Sequence, residues 1–175
     1  TLIFVLLFVL AGSLFWHNLL SINLDIGRHL KLGEIIWQTK SIPITNLFSF
    51  TEPDHAFINH HWLSEVWFYF IYSMVGLQGV IVFKTLLLVG VFFLLLMSVR
   101  KEPWGTVVIS FLISLALFFS RSEPRPEIFS YFFMAMFIWA INRARTIDRF
   151  TASLWILPFT QLLWVNSHIY FFMGA

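Results

Sequence analysis

Cysteine is absent from the 175-residue chain, and charged residues make up only 11% of it. Without cysteine, the protein has neither a disulfide framework nor thiolate chemistry. Soluble domains carry about 25% charged residues, so the low charge content argues against an ordinary soluble domain. The formal net charge of +2 is too small to indicate nucleic-acid binding, and we expect no nucleic-acid partner.

Hydrophobic residues form 59% of the chain, which is more than a soluble core of this length can bury. A bilayer removes that difficulty, and one helix needs roughly 20 apolar residues to cross it. The sequence therefore predicts an all-α, polytopic integral membrane protein in contact with membrane lipids. The predicted spans lie at about 1–20, 79–99, 105–120, 128–141 and 151–165, with a sixth starting near 169. Both ends lie in apolar runs, which indicates a piece of a longer protein.

The segment 62–76 decides the predicted topology, because it is short, contains Glu65 and is rich in Trp and Tyr. Such a helix either lies in the membrane interface or crosses the bilayer. The basic loops near residues 100 and 145 lie two spans apart, and Lys and Arg favour the cytoplasm. If 62–76 is interfacial, the long loop 21–78 is on the outer side. If it spans, that loop is inside, which the charge distribution alone slightly favours.

The long first loop, residues 21–78, holds five of the nine acidic residues and four of the six histidines. A loop that only joins two spans need not be so long, so we expect it to be functional. Apolar spacing over 25–38 predicts an amphipathic helix inside it. After the loop, Lys84 sits about one turn inside the second predicted span. We expect its ammonium group to extend to the outer surface.

Asp25 directly follows the first predicted span, so its carboxylate is expected at the membrane surface. A carboxylate there can act as a general base, because a hydroxyl acceptor loses a proton as it attacks. Asp25 can also cap the following helix, and the two roles are compatible. His60 and His61 are either interfacial polar residues or hydrogen-bonding groups for a phosphate or sugar. Their spacing is not that of a zinc site, so the metal is left unassigned.

Two further polar segments are predicted on the same side of the membrane. The loop R-S-E-P-R-P-E runs from Arg121 through Arg125 to Glu127 and holds four charges and two prolines. Proline restrains the backbone, and Arg can bind phosphate in bidentate fashion. The alternative is a surface loop with weak Arg–Glu pairs. The segment W-V-N-S-H, which ends at His168, closes the fifth span as a helix end or as part of a substrate site.

Three stretches together resemble the first outer loop of GT-C superfamily membrane glycosyltransferases. They are D-I-G-R-H-L-K-L-G-E-I-I from Asp25, S-I-P-I-T-N-L-F-S-F-T from Ser41 and N-H-H-W-L-S-E-V from Asn59. The superfamily includes protein O-mannosyltransferases, aminoarabinose transferases and oligosaccharyltransferase catalytic subunits. R-P-E at 125–127 and W-V-N-S-H at 164–168 are similar to further family landmarks. The resemblance covers nearly the whole chain and is to the N-terminal part of such enzymes.

This resemblance implies an outer first loop with interfacial helices at about 25–39 and 62–76. It also implies that Asp25 is the catalytic acid of that loop and Glu127 the matching acid of the second outer loop, although many relatives have Asp there. The family uses polyprenyl-phosphate-linked sugar donors, whose phosphate Arg125 or Arg121 would bind. In many relatives the first acid belongs to an acidic pair, which is missing here, so a divalent metal cofactor is left open.

The sequence thus predicts a glycosyltransferase that moves a sugar from a polyprenyl-phosphate donor to an acceptor on the outer face of a bacterial inner membrane. His60, His61 and His168 are expected to assist in binding the substrate. One alternative is a non-catalytic GT-C-like subunit that scaffolds a complex with partner membrane subunits. A transporter ranks third, because transporters place charges within spans and this chain keeps nearly all of them in loops.

Overall fold

The computed structural model describes residues 2–16, 24–52, 54–99, 102–147 and 152–174. Its α-helices are α1 (Leu2–Phe15), α2 (Leu24–Thr39), α3 (Trp62–Ser98), α4 (Trp104–Phe119), α5 (Glu127–Ile147) and α6 (Ile156–Ser167). Short 3-10 helices, Ala152–Trp155 and Ile169–Gly174, flank α6. Within these residues, β-pairing is limited to an isolated bridge between Thr45 and Ala56. The predicted all-α class is therefore confirmed for the described part of the chain.

Several predicted boundaries fall on residues that the structure does not describe. Residues 1 and 17–20 of the first predicted span and residue 151 of the fifth lie outside the described ranges. Where a sixth span was predicted to start, near residue 169, the described backbone is the 3-10 helix Ile169–Gly174. Among the described residues, α3 is the one helix long and apolar enough to cross a membrane. The helices α1 and α4 are apolar but shorter, so the polytopic arrangement stays a prediction.

The helix α3 runs through both segments that the sequence separates, 62–76 and 79–99. Its two halves meet at a kink at Gly76, whose backbone is non-helical with φ 72° and ψ −163°. Residues with a Cβ rarely adopt positive φ, so glycine permits this break at little steric cost. The first half of α3 can therefore follow a different direction from the long apolar second half.

The polar loops meet at one end of the helix bundle. Trp62, at the start of α3, donates its indole N–H to Asn166 near the end of α6, at 3.0 Å. The Thr85 hydroxyl, which donates to the Ile81 carbonyl of its own helix at 2.8 Å, also lies 3.2 Å from the carbonyl of Phe15, the last residue of α1. At the opposite end, Phe4 of α1 packs against Trp104 at the start of α4, with ring centroids 4.6 Å apart.

Lys84 is buried beneath the loop that joins α4 to α5. Its side chain is 0% exposed, and its ammonium group donates to the backbone carbonyl of Ser122 at 2.8 Å. The expectation that Lys84 extends to the outer surface is therefore wrong. Carbonyls near a helix C-terminus lack intrahelical partners, and the Ser122 carbonyl, just past the end of α4, accepts one of the lysine's hydrogen bonds.

Aromatic side chains form much of the core between the helices. Phe92 of α3 packs against Phe111 of α4 with ring centroids 4.7 Å apart, and Phe68 packs against Phe129 of α5 at 5.6 Å. Apolar side chains also cover outward surfaces of α1 and α4, and the most exposed of these are Leu2, Leu6, Val9, Ile109, Ile113 and Leu117. Burial of the aromatic rings stabilises the bundle, while the outward surfaces of α1 and α4 remain largely apolar.

The amphipathic helix α2 packs closely against the first half of α3. A Cβ added at Gly33 would meet the backbone carbonyl of Glu65, with its carbon only 2.7 Å away, and the Cβ of Tyr69 at 2.8 Å. Only glycine allows the two backbones to approach this closely. On the same helix, Ile26 and Ile36 are buried, so the packed face is apolar at both ends.

Candidate functional site

The first and second polar loops meet through Asp25 and Arg125. The Asp25 Oδ2 atom lies 3.7 Å from the Arg125 Nη2 atom. Asp25 lies in the first turn of α2, while Arg125 sits two residues before α5. Both side chains are partly exposed, at 51% and 37%, so a ligand at this end of the bundle can reach them. The structure thus brings together two residues that the sequence assigned to one site.

Arg125 is held by its own loop as well as by Asp25. Its Nη2 atom lies 3.0 Å from Oε2 of Glu123, and its backbone N–H donates to the Glu123 carbonyl at 2.9 Å. The flanking Pro124 and Pro126 are buried, which anchors the loop on both sides of the arginine. The Nε atom of Arg125 is buried and has no hydrogen-bond partner among the described residues. The guanidinium is therefore restrained while one donor stays unused.

The other charged residues predicted for this site are arranged around its rim. Glu127 begins α5 and accepts a hydrogen bond from the Tyr131 hydroxyl one turn further on. Arg121, just after α4, is exposed. His60 is exposed as well and lies immediately before the turn into α3. These residues share the end of the bundle that carries Asp25 and Arg125, and Glu127 is only two positions from Arg125.

A buried polar network joins α2 to the start of α3. Glu65, only 1% exposed, has Oε1 at 2.9 Å from Nδ1 of His29. Its other oxygen, Oε2, accepts a hydrogen bond from the Asn59 amide at 2.6 Å. The side-chain Oδ1 atom of Asn59 in turn accepts a hydrogen bond from the backbone N–H of His61 at 2.9 Å. Because both carboxylate oxygens are bonded, Glu65 fixes the position of His61 as well as the docking of α2.

A second polar cluster joins α5 to α6. The hydroxyl oxygen of Ser130, on α5, lies 2.8 Å from Nδ1 of His168. The same oxygen accepts the indole N–H of the fully buried Trp164 at 2.8 Å. The His168 ring stacks on His61, with ring centroids 5.1 Å apart, and the His29 ring lies 6.1 Å from His61. The three histidines thus bring α2, α3 and α6 together beside the charged pair.

Burial keeps two of these histidines neutral. Desolvation, with a smaller contribution from neighbouring His29, lowers the pKa of His61 from 6.5 to about 4. Desolvation also lowers the pKa of His168 from 6.5 to about 4, followed by the effects of His61 and His29. A charged imidazole is disfavoured where water is excluded and other imidazoles are close. At neutral pH, both rings therefore act as uncharged hydrogen-bonding groups.

The site combines a carboxylate, a guanidinium and neutral imidazoles. Within the described ranges, no group of three or more His, Cys, Asp or Glu side chains is arranged to hold a metal ion. The divalent metal that the sequence leaves open therefore has no ligand cluster in this part of the chain. The Asp25 carboxylate can accept a proton, Arg125 can bind an anion, and the imidazoles can bind uncharged polar groups.

Sequence reasoning placed none of His29, Asn59, Glu65 and Ser130 in the site. The first three belong to stretches that carry the family resemblance, and that is the signal that could have found them. Glu65 was interpreted only as a reason for 62–76 to be interfacial, although its carboxylate is buried against α2. Ser130 lies inside an apolar run and carries no such signal. Its role follows from its contact with His168.

Comparison of the chain with protein-family models, with curated proteins and with solved structures finds no match.

Proposed function

We propose that the chain is a GT-C-like membrane glycosyltransferase that moves a sugar from a polyprenyl-phosphate donor to an acceptor on the outer face of the membrane. The observation that carries this proposal is the contact between Asp25 and Arg125, whose Oδ2 and Nη2 atoms lie 3.7 Å apart. The family resemblance assigns the catalytic acid to the first of these residues and the phosphate-binding cation to the second. Their meeting supports a single site with both roles.

The chemistry assigned to this site needs an acid–base group and a cation. The Asp25 carboxylate takes the proton of the acceptor hydroxyl as its oxygen attacks the anomeric carbon of the sugar. The bond between that carbon and the phosphate oxygen breaks, and its electron pair stays on the departing polyprenyl phosphate. Arg125 stabilises the negative charge that develops there, assisted by Arg121 at the rim. Glu127, two residues beyond Arg125, is the second acid of the proposed site.

Membrane placement is part of the same proposal. The apolar second half of α3 crosses the bilayer together with α1, α4, α5 and α6, in the inner membrane of a bacterium. The polar end of the bundle, with the first loop, then faces outward. The largely apolar outward surfaces of α1 and α4 support contact with lipid. The arginines near the end of α5, Arg143 and Arg145, are then cytoplasmic, as Lys and Arg prefer.

Binding of the lipid phosphate tests the proposal directly. The parent chain in nanodiscs is expected to bind polyprenyl phosphate, and Arg125→Lys is expected to weaken that binding although it keeps the charge. Arg matches phosphate geometry better than Lys, and a restrained guanidinium loses less entropy on binding. Arg121→Lys, at the exposed rim, serves as the matched control and should have a smaller effect.

The same measurement separates the enzyme from a non-catalytic subunit. If Arg125→Lys and Arg125→Ala bind the lipid as the parent does, Arg125 is a surface ion-pair residue and the donor site is elsewhere or absent. That outcome would favour a GT-C-like scaffolding subunit in a larger membrane complex. Affinity is read from the change in binding across a lipid titration, with detergent-solubilised protein as a second format.

A further inference from the structure

The stacked imidazoles of His61 and His168 form a largely buried polar pair where α3 begins and α6 ends. Their ring planes are 23° apart and their centroids 5.1 Å apart. Tyr170 stands edge-on to His168, with centroids 4.5 Å apart, and is itself exposed. Each histidine sits at a helix end: His61 precedes α3, and His168 follows α6. The two rings are therefore fixed by two helices rather than by a mobile loop.

The partners of Ser130 fix the proton of His168. A serine hydroxyl has one hydrogen to donate and two lone pairs to accept with. The Ser130 oxygen already accepts the Trp164 indole N–H. Among the described residues, Nδ1 of His168 is the one group placed to accept the Ser130 hydrogen. If Nδ1 carried the ring proton, the Ser130 hydrogen would be left without an acceptor among the described residues. We therefore assign the proton of neutral His168 to Nε2, with Nδ1 as the acceptor. No acceptor among the described residues is bonded to this Nε2–H, so His168 offers an oriented donor.

His61 contributes a nitrogen atom without a hydrogen-bond partner among the described residues. Its Nδ1 atom is buried and lacks a hydrogen-bond partner within the described part of the chain. Buried polar atoms are nearly always hydrogen-bonded, so an unpartnered one marks a position where a further hydrogen bond would be favourable. Nδ1 of a neutral imidazole accepts or donates according to its tautomer. The stack thus presents one fixed donor and one unpartnered nitrogen.

The chemistry of the His61–His168 pair differs from that of Arg125. Both rings are uncharged at neutral pH, since burial lowers each pKa to about 4. They therefore contribute hydrogen bonds but no charge to a bound phosphate. An uncharged hydroxyl group, which both donates and accepts, fits the pair better. On α2, Asp25 lies about one helical turn before His29, which is roughly 6 Å at 1.5 Å per residue, so the charged pair and the histidines share this end of the bundle.

We propose that the His61–His168 pair is a subsite for a neutral hydroxyl of the sugar, distinct from the Arg125 site for the lipid phosphate. This assignment rests on the proposed function. Of the two ligands that the sequence leaves open for His61, a phosphate or a sugar, it selects the sugar. The histidine pair then discriminates sugar-bearing lipid from bare lipid, while Arg125 binds both.

Two probes separate the subsites: bare polyprenyl phosphate, and polyprenyl phosphate that carries mannose, glucose or aminoarabinose in turn. His168→Phe keeps a ring in the stack and removes the Nε2–H donor. It is expected to lose about tenfold in affinity for the sugar-bearing lipid that the parent prefers, and to bind the bare lipid as the parent does. Arg125→Ala should weaken both, and His55→Phe, on the exposed part of the long loop, should change neither.

A second variant covers the case in which His168→Phe fails to fold. Ser130→Ala leaves His168 in place but frees its ring proton to move to Nδ1, so a several-fold loss confined to the sugar-bearing lipid is expected. Equal losses for bare and sugar-bearing lipid, or a parent that binds both equally, would overturn the sugar subsite and leave the phosphate site standing. A parent that binds neither lipid would overturn the proposed function and this assignment with it.

Discussion

Asp25 and Arg125 are one hundred positions apart in the chain, yet their side chains approach to 3.7 Å between Oδ2 and Nη2. Asp25 lies at the start of α2, and Arg125 lies in the loop that a buried lysine, Lys84, holds from below. Glu123 competes with Asp25 for the same guanidinium nitrogen, at 3.0 Å. The proposed site is therefore assembled by three segments that share no local sequence.

Replacing the Asp25 carboxylate tests its catalytic role. Asp25→Asn is expected to reduce sugar transfer by roughly 100-fold or more, because the amide cannot accept the acceptor's proton. Folding should be retained, because Asp25 lies within the first turn of α2, where losing a negative charge near the helix N-terminus costs only about 0.3–1 kcal/mol. The measurement is the transfer rate from the lipid-linked donor, with circular dichroism as the check on folding. Turnover at the parent's rate would leave Asp25 with only its structural role.

Glu123 is expected to oppose phosphate binding, because its carboxylate occupies the Arg125 guanidinium at 3.0 Å. Glu123→Gln should therefore tighten binding of polyprenyl phosphate by up to about fivefold, the scale of a partly exposed ion pair. Glu52→Gln, which removes an exposed acid from the long loop, is the matched control for net charge. If Glu123→Gln binds polyprenyl phosphate no more tightly than the parent does, Glu123 does not compete with the phosphate for Arg125.

Gly33 and Gly27 form a matched pair within α2. A Cβ at Gly33 would overlap the Glu65 backbone, whereas a Cβ at Gly27 meets nothing within 4 Å. Gly33→Ala is expected to destabilise the fold by about 1–3 kcal/mol, as overpacking does. Gly27→Ala should be neutral or stabilising by up to about 1 kcal/mol, because alanine favours helix. Thermal unfolding in detergent distinguishes them, and equal midpoints would contradict the close contact of α2 with α3.

Stability should depend on pH through His61 and His168. Their pKa values fall from 6.5 to about 4 on folding, so the unfolded chain binds more protons between those pH values. The contribution of these two histidines to the free energy of unfolding is therefore fully present above pH 6.5 and is lost as the pH falls towards 4. Unfolding midpoints measured across this window should show a shallower slope for His168→Gln. The exposed His55→Gln serves as control, and an unaltered slope in His168→Gln would contradict neutral burial.

Single cysteines test the proposed orientation against a background without cysteine. Cysteines at the exposed positions Asp54 and Ser120 should react with a membrane-impermeant thiol reagent on intact cells. A cysteine at Arg145 should react only after permeabilisation. Labelling at 120 but not at 54 would put the long loop inside and 62–76 across the membrane. That result would be incompatible with a site shared by Asp25 and Arg125.

Local patterns were enough to anticipate several elements. Apolar spacing predicted a helix over 25–38, and the structure has α2 at Leu24–Thr39. The sequence also separated 62–76 from 79–99, and the break coincides with Gly76, where α3 is kinked. These features depend on each residue's near neighbours and on the conformational range of glycine, so a single sequence reports them.

Contacts between distant segments were decided by the tertiary structure. Lys84 donates to a loop carbonyl instead of reaching solvent, and Glu65 is buried between His29 and Asn59. Nothing local to Ser130 predicts that it orients His168. The sequence alone determined an all-helical, strongly apolar chain with its polar residues grouped in a few loops. Which of those polar groups meet depends on how the helices pack, because a buried polar atom takes its partner from whichever segment lies against it.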